Sequence, residues 1–473
     1  MLANIIVFDV GSTYTKAAAF HMKEEELTFL GRGQSPTTLN RILDGADAAL
    51  DQIRNQGVTI DPMARRYSSC SAAGGLRMVA LGYMPRVTAK AAKEVAMTAG
   101  ARVMEVISCE EPPSYRLEVL QEIRPDIILL AGGTDSGDES SVEENVDIIC
   151  RAGCHATVIL ACNRYAQRRA AERFKEAGIA YVRVPNIMPT IHELNVKPAR
   201  EAIHEQFIHQ ITRASGLAEF RDTLADYTVV PTPGAVLLAT ELLARGTHEQ
   251  EGVGSLILLD IGGATTDIHS ALPDLEDLAI EERGLVINNE KQFSYRTVEG
   301  NLGMRVSATG VLDAVGPKNI IRAMDEPISV TQDEVEDYAE QLEADTGHVP
   351  ADEKEACLDR AFAYCAINVA LRRHAGFYAQ ENDPVMGIMA GTAIGRDLRD
   401  VHKVLCAGGV FVHGDQEKMQ ALAARCFANP GMSLLPVQDP QIIIDKNYIL
   451  YAMGVLGRHY PDAVLSCMKN MYR

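Results

Sequence analysis

The chain reads as an α/β protein built from two related halves, and three observations carry that reading. Apolar runs of strand length alternate with helical patterns nearly from end to end. One small turn pattern occurs twice, as Asp9-Val10-Gly11-Ser12-Thr13 and as Asp260-Ile261-Gly262-Gly263-Ala264-Thr265-Thr266-Asp267, after the apolar runs Ile5-Ile6-Val7-Phe8 and Leu256-Ile257-Leu258-Leu259. A strand ending in Ala-Gly-Gly also occurs once per half, at residues 127–134 and 404–410. An aspartate hairpin followed much later by such a strand, in each half, is consistent with an old duplication and a ligand cleft between the halves. The halves are expected at residues 1–225 and 226–473, with an inserted α/β subdomain at about 36–200 in the first.

Taken in order, the elements suggest a chemistry. A glycine in the turn after a buried strand lets backbone approach phosphate oxygens, successive N–H groups form an anion-binding concavity, and hydroxyls add donors. Gly11, Ser12 and Thr13 are the candidates in the first hairpin, and Gly262, Gly263, Thr265 and Thr266 in the second. Asp9 and Asp260, at the strand ends, would hold Mg²⁺ through water, because that ion prefers oxygen and keeps much of its hydration shell. One such turn alone is ordinary hairpin chemistry, with the aspartate stabilising the turn. Two copies can clamp one polyphosphate from opposite sides. Gly408 and Gly409 would let backbone pass against an adenine or ribose face, or simply form a strand-to-helix loop. A nucleotide polyphosphate with Mg²⁺ is the kind of ligand these parts fit.

In the insert, Thr157-Val158-Ile159-Leu160-Ala161, a helix over about 164–177 and Ala180-Tyr181-Val182-Arg183-Val184 form a strand-helix-strand crossover. Asp135 lies just past a strand end in a Gly-rich loop, where an acidic residue can reach into a cleft, so it is the candidate hydrolytic base. Turn chemistry explains Asp135 and Asp138 equally well. In the second half, helices are expected over 331–344, opening on a Thr331-Gln332-Asp333-Glu334 capping box, and over 352–375.

Composition limits the partners. The 473 residues are 47% hydrophobic, enough for two or three domains with real cores. With 45 basic and 64 acidic residues the net charge is −19, which disfavours nucleic acid and anionic membrane. Arg164, Arg168, Arg169 and Arg173 share a helix face with Glu172 and Glu176 and read as solvated. Ten cysteines include no Cys-x-x-Cys pair, and Cys150, Cys154 and His155 lack a second pair for zinc, so they read as reduced structural thiols. No stretch approaches the roughly 20 apolar residues that span a bilayer. The N-terminus shows no secretory pattern, and a cytoplasmic protein is expected.

In order, the motifs resemble the actin, Hsp70 and sugar-kinase superfamily of ATP-binding proteins. That resemblance implies two duplicated ribonuclease-H-like (actin/Hsp70-like) domains flanking a nucleotide cleft. Its first phosphate motif falls on residues 9–13, its second on 259–268 and its adenosine motif on 407–411. Lys16 sits where actin-like members carry a phosphate-contacting lysine, and the closing helix, with small residues for close packing, falls on 448–457.

A narrower resemblance runs through Ser69-Cys70-Ser71-Ala72-Ala73-Gly74-Gly75-Leu76-Arg77-Met78, Leu130-Ala131-Gly132-Gly133-Thr134-Asp135-Ser136-Gly137-Asp138 and Glu299-Gly300-Asn301-Leu302-Gly303-Met304-Arg305. These look like the glutamate mutase (methylaspartate mutase) accessory protein family, GlmL/MutL, unrelated to the mismatch-repair protein. The resemblance implies an ATP-dependent reactivating chaperone that releases damaged cobalamin from an adenosylcobalamin-dependent mutase through nucleotide-driven domain motion. In that scheme the partners are mutase subunits, the protein is a possible oligomer, and Asp9 and Asp260 organise Mg²⁺ and the attacking water. Arg305 would contact phosphate or form a structural salt bridge. No cobalamin site is expected in the chain itself, since Asp267-Ile268-His269 is followed by Leu272 where the base-off signature needs glycine. A small-metabolite kinase, a nucleotide-binding scaffold and a hydantoinase-like amide hydrolase are the other readings of this fold.

Overall fold

The computed structural model describes residues 1–11, 14–37, 42–70, 77–82, 102–190, 195–211, 229–273, 286–287, 293–382 and 388–472. The chain divides into two compact units, Met1–Ala19 with Gly31–Gly234 and Phe20–Leu30 with Ala235–Arg473.

The first unit, apart from the Phe20–Leu30 stretch of β2 and β3, carries a sheet of β1 (Leu2–Val10), β2 (Tyr14–Lys23), β3 (Glu26–Pro36), β4 (Thr59–Cys70) and β10 (Val230–Pro231) in the order β10-β4-β1-β2-β3. β4 lies parallel to β1 and β10 parallel to β4. Between β4 and β10 the chain forms a second sheet from β5 (Arg77–Gly82), β6 (Arg102–Ser108), β7 (Ile127–Leu130), β8 (Thr157–Leu160) and β9 (Tyr181–Arg183), all parallel, in the order β6-β5-β7-β8-β9. That is the flavodoxin-like doubly wound order. Its central strands β7 and β8 are short and almost wholly apolar, because the middle of a parallel sheet is covered on both faces. All four residues of β7 are buried, and Val79, Leu81, Ile128, Leu130, Val158 and Leu160 share a core with Phe174 of the helix Arg164–Glu176. That helix opens on Asn163, whose side chain accepts from the amides of Tyr165 and Ala166. Its arginines are exposed but paired: Arg169 with Glu139 and Glu143, and Arg173 with Asp147, all in or beside the helix Ser140–Ala152.

In the second unit, β11 (Leu256–Ile261), β12 (Thr266–Ala271), β14 (Ser294–Glu299), β17 (Lys403–Ala407) and β18 (Gln441–Ile444) form a sheet in the order β14-β12-β11-β17-β18. Here β11 and β12 form the antiparallel hairpin, β12 pairs antiparallel with β14, and β17 and β18 run parallel to β11 and to each other. The order repeats that of the first sheet strand for strand, so both units carry the ribonuclease-H-like arrangement.

This register corrects one expectation. Residues 127–134 are not the counterpart of 404–410, because β7 belongs to the flavodoxin-like sheet. The strand that stands to β1 as β17 stands to β11 is β4. The two Ala-Gly-Gly turns serve separate local needs: a Cβ on Gly133 would fall 2.1 Å from the carbonyl oxygen of Asp138, and one on Gly408 would fall 2.1 Å from that of Ile261.

One face of the second sheet, with Ile257, Leu259, Ile261 and Ile268, packs into a large core with Phe362 and Phe411 and with the helices Ala308–Val315, Gln332–Ala344 and Glu353–His374. The capping box forms as expected, Thr331 and Glu334 each bonding the other's backbone amide. The closing helix Leu450–Gly457 lies against the helix Thr232–Arg245 so tightly that a Cβ on Gly454 would stand 1.6 Å from the Ala235 carbonyl oxygen. All ten cysteines are free thiols. Among the described residues no helix is long and apolar enough to cross a membrane.

Two histidines are sealed into this unit. His374 bonds Ser270 and Thr297, each at 2.8 Å, and is 2% exposed, while His269 is fully buried. Burial first, then Arg396 beside His374 and Arg296 beside His269, holds both well below the ordinary histidine range. Both are neutral when folded, and the unfolded chain gains their protons as pH falls below about 6.5. Stability is therefore intact above that pH and falls below it. Between pH 7.5 and 5.5 each histidine removes about 1.4 kcal/mol. Urea unfolding across this range will show the loss, and His374→Gln will flatten the slope by about one proton; an unchanged slope in the variant would sink the account.

Candidate functional site

The first hairpin is organised around one buried carboxylate. Asp9, 1% exposed, ends β1 in register with Ser69 of β4, and Ser69 in turn stands beside Val230 of β10. The carboxyl ends of three adjacent parallel strands therefore meet. Ser69 Oγ donates to Asp9 Oδ1 at 2.8 Å, and Thr232 Oγ1, one residue past β10, donates to the same oxygen at 2.5 Å. Lys16 Nζ donates to Oδ2 at 3.1 Å. A charge so deeply buried needs such partners. Gly11 closes the turn by donating to the Tyr14 carbonyl at 2.9 Å, and a Cβ there would fall 2.6 Å from that oxygen. Ser12 and Thr13 lie outside the described residues, as do residues 71–76 of the resemblance motif.

Asp9 and Lys16 carry a motif signal in the sequence, whereas nothing local ties Ser69 and Thr232 to Asp9. Their signal is topological: Ser69 lies near the end of β4, which pairs beside β1, and Thr232 lies just past β10, which pairs beside β4.

The second hairpin is held from behind. Gly262 N–H donates to the Thr265 carbonyl at 2.8 Å, closing the turn. A strap following β14 then crosses it: Met304 N–H donates to the Gly262 carbonyl, Arg305 and Val306 N–H both donate to that of Gly263, and Ser307 Oγ donates to that of Ala264. The strap runs so close that a Cβ on Gly303 would lie 2.3 Å from the Ala264 carbonyl carbon. The turn's carbonyls are thereby occupied. Among the described residues, the N–H groups of Gly263, Ala264 and Thr265 have no backbone acceptor. Three successive amides without a backbone acceptor in a tight turn have the geometry in which an anion can be held.

The side chains around the turn are largely committed. Thr266 donates to the Leu302 carbonyl and is buried, so this residue supports the hairpin rather than offering a free hydroxyl. Thr265 Oγ1 donates to Asp267 Oδ2 at 3.0 Å, and Arg296 Nε donates to Asp267 Oδ1 at 2.8 Å. Arg305 resolves to the structural alternative: its guanidinium pairs with both carboxylate oxygens of Asp359 at 3.1 and 2.8 Å, and Tyr338 adds a bond to the same group. Asp260 is half-buried, in register with Asp267 on one side and Ala407 on the other.

Gly408 and Gly409 follow β17 at the start of the helix Gly409–His413. Gly408 has φ +110° and abuts Ile261, which explains its identity without any ligand, whereas a Cβ on Gly409 would meet nothing within 4 Å. Asp135 lies beyond the carboxyl end of β7, the central strand of the flavodoxin-like sheet, rather than in either hairpin sheet. Its Oδ1 accepts from Arg164 N–H at 3.1 Å and from Asn186 Nδ2 at 3.0 Å. Asp138 accepts from Ser140 and Ser141, and those bonds hold its carboxyl down at about 2.

Two sheets of identical strand order, each with an aspartate hairpin between its first two strands, define the actin, Hsp70 and sugar-kinase class of fold. The family model described as MutL protein matches residues 5–472. Protein MutL of Clostridium tetanomorphum is 36% identical over 469 residues, covering 98% of both chains. The chain belongs to the MutL family. Among solved structures it is similar to a glycerol dehydratase reactivase (11% identity, 96% of this chain and 99% of that one, TM-score 0.33). Another is the xylulose kinase from Bifidobacterium adolescentis (10% identity, 98% and 92%, TM-score 0.31).

The two glycines after β17 separate in a simple test. Gly408→Ala should destabilise by about 1–3 kcal/mol through overpacking and a strained φ, while Gly409→Ala should unfold within about 0.5 kcal/mol of the parent. Equal denaturation midpoints for the two variants would refute the close-approach explanation.

Proposed function

We propose that this protein is an ATP-dependent accessory and reactivating chaperone for an adenosylcobalamin-dependent mutase, glutamate mutase or a related aminomutase. Membership of the MutL family supports the partner class, and the run of amides without a backbone acceptor at Gly263, Ala264 and Thr265 is the single observation that supports phosphate as the ligand. In this reading Ser12, Thr13 and Lys16 hold phosphate oxygens in the first unit, where Gly11 closes the turn, and the amides of Gly263, Ala264 and Thr265 do so in the second, where Gly262 and Thr266 brace the turn. Gly409, with open space over its Cα, lies against adenosine beside Gly408.

Asp9 and Asp260 are the carboxylates that would hold Mg²⁺ through its water shell. Among the described residues no three His, Cys, Asp or Glu side chains gather into a metal cage. Magnesium fits such a site, since it is commonly held by one or two carboxylates together with substrate phosphates. When bound, it neutralises charge on the terminal phosphates. The chain's own groups supply position: amides from the strapped turn, a lysine, the fixed carboxylate of Asp9 and the carboxylate of Asp260. Asp135 is retained as a candidate base on its loop position alone.

ATP and ADP differ in the phosphate these groups grip, so the nucleotide state can favour one conformation over another. A conformation that binds the mutase differently then couples hydrolysis to release of spent cobalamin. The decisive measurement is ATP hydrolysis with Mg²⁺, alone and with an adenosylcobalamin mutase inactivated by hydroxocobalamin. Stimulated hydrolysis and recovered mutase activity are expected, both lost in Asp260→Ala. Nucleotide turnover that answers to a small metabolite and ignores the mutase would replace this reading with a kinase.

A further inference from the structure

We infer that Ser69 and Thr232 are positioning residues that divide the two oxygens of Asp9, fixing Oδ1 in the protein and leaving Oδ2 as the only one available to a cation. The inference rests on the nucleotide reading above. Both hydroxyls converge on Oδ1, at 2.8 and 2.5 Å, and among the described residues Oδ2 meets the ammonium of Lys16, at 3.1 Å, and neither hydroxyl. A carboxylate whose one oxygen accepts two hydrogen bonds from fixed strand ends cannot rotate without breaking both.

The donors come from rigid elements. Ser69 is fully buried on β4 and paired in register with Asp9, and Thr232 is the first residue of a 14-residue helix entered directly from β10. Lys16 is itself set on β2, so its charge neutralises Oδ2 until a better cation arrives. Mg²⁺ and Lys16 compete for one oxygen, and the two hydroxyls keep the other out of the competition. Freed of them, the carboxylate would turn and share both oxygens with the lysine, and the cation would bind less well.

The second unit offers a natural contrast. Asp260 occupies the position of Asp9, but the residue in register with it on the parallel strand is Ala407, which has no hydroxyl. At this one register position the two aspartates differ, a serine hydroxyl facing Asp9 and a methyl group facing Asp260.

The test titrates Mg²⁺ against binding of a fluorescent ATP analogue to the full chain, for the parent, Thr232→Val, Thr232→Ser and Ser69→Ala, with thermal melts of each. Thr232→Val keeps the shape and removes the donor. It should raise the Mg²⁺ midpoint roughly tenfold, the scale of a lost hydrogen bond to a charged group, while leaving analogue affinity in EDTA unchanged. Thr232→Ser should restore the midpoint, and Ser69→Ala should move it in the same direction as valine, which carries the test if the valine variant does not fold. A lower melting temperature with an unmoved Mg²⁺ midpoint in both variants would reduce the two hydroxyls to structural roles and overturn the inference alone. A parent chain that binds no nucleotide at any Mg²⁺ concentration would overturn both the inference and the nucleotide reading.

Discussion

The obligation of a buried or half-buried peptide group to find a partner governs this structure more than any side chain does. At the second hairpin the carbonyls of Gly262, Gly263 and Ala264 are all satisfied by the strap from Gly303 to Ser307. With its acceptors used on one side, the turn presents donors on the other. The donors of the turn are thus fixed by main-chain geometry, which no titration can remove. The same rule operates in the first unit in side-chain form, where a carboxylate buried beside three strand ends is tolerable only because Ser69, Thr232 and Lys16 meet it.

Duplication supplied two copies of one sheet, but each copy has been fitted out differently. The first accommodates a whole flavodoxin-like sheet between β4 and β10. The second carries a helical layer over the sheet, built on Phe362, Leu358 and Tyr338, and anchors its strap there through Arg305 and Asp359. A hairpin aspartate can therefore be a pre-arranged acceptor in one unit and a half-exposed group in the other while the strand order stays the same.

Much of the fold was legible because its signals are local. Apolar runs marked β1 and β11, Thr331 and Glu334 marked a helix start to the residue, and the crossover from β8 to β9 was visible from its strand-helix-strand pattern. What escaped was information carried by pairing. Nothing in residues 127–134 says which sheet they join, so a repeated Ala-Gly-Gly was matched to the wrong partner. Ser69 and Thr232 were invisible for the same reason, being separated from Asp9 by long stretches of chain and brought to it only by parallel register. Arg305 was ambiguous because an arginine near a phosphate turn has two chemically reasonable partners, and only the position of Asp359 on the helix Glu353–His374 decides between them.

The strap has a consequence for how this region tolerates change over time. Met304 and Val306 both hold the hairpin through their amides, but the Met304 side chain is also buried in the core, whereas that of Val306 is exposed and free to drift, so a scan by alanine would pass over Val306 in silence. Only proline, which removes the amide, would reveal it. Gly303 is under the opposite pressure, for it makes no polar contact through a side chain and yet admits no other residue at 2.3 Å from Ala264. A position's indispensability and its chemical reactivity are separate properties here, and the most constrained residue of the motif is the one with nothing to react.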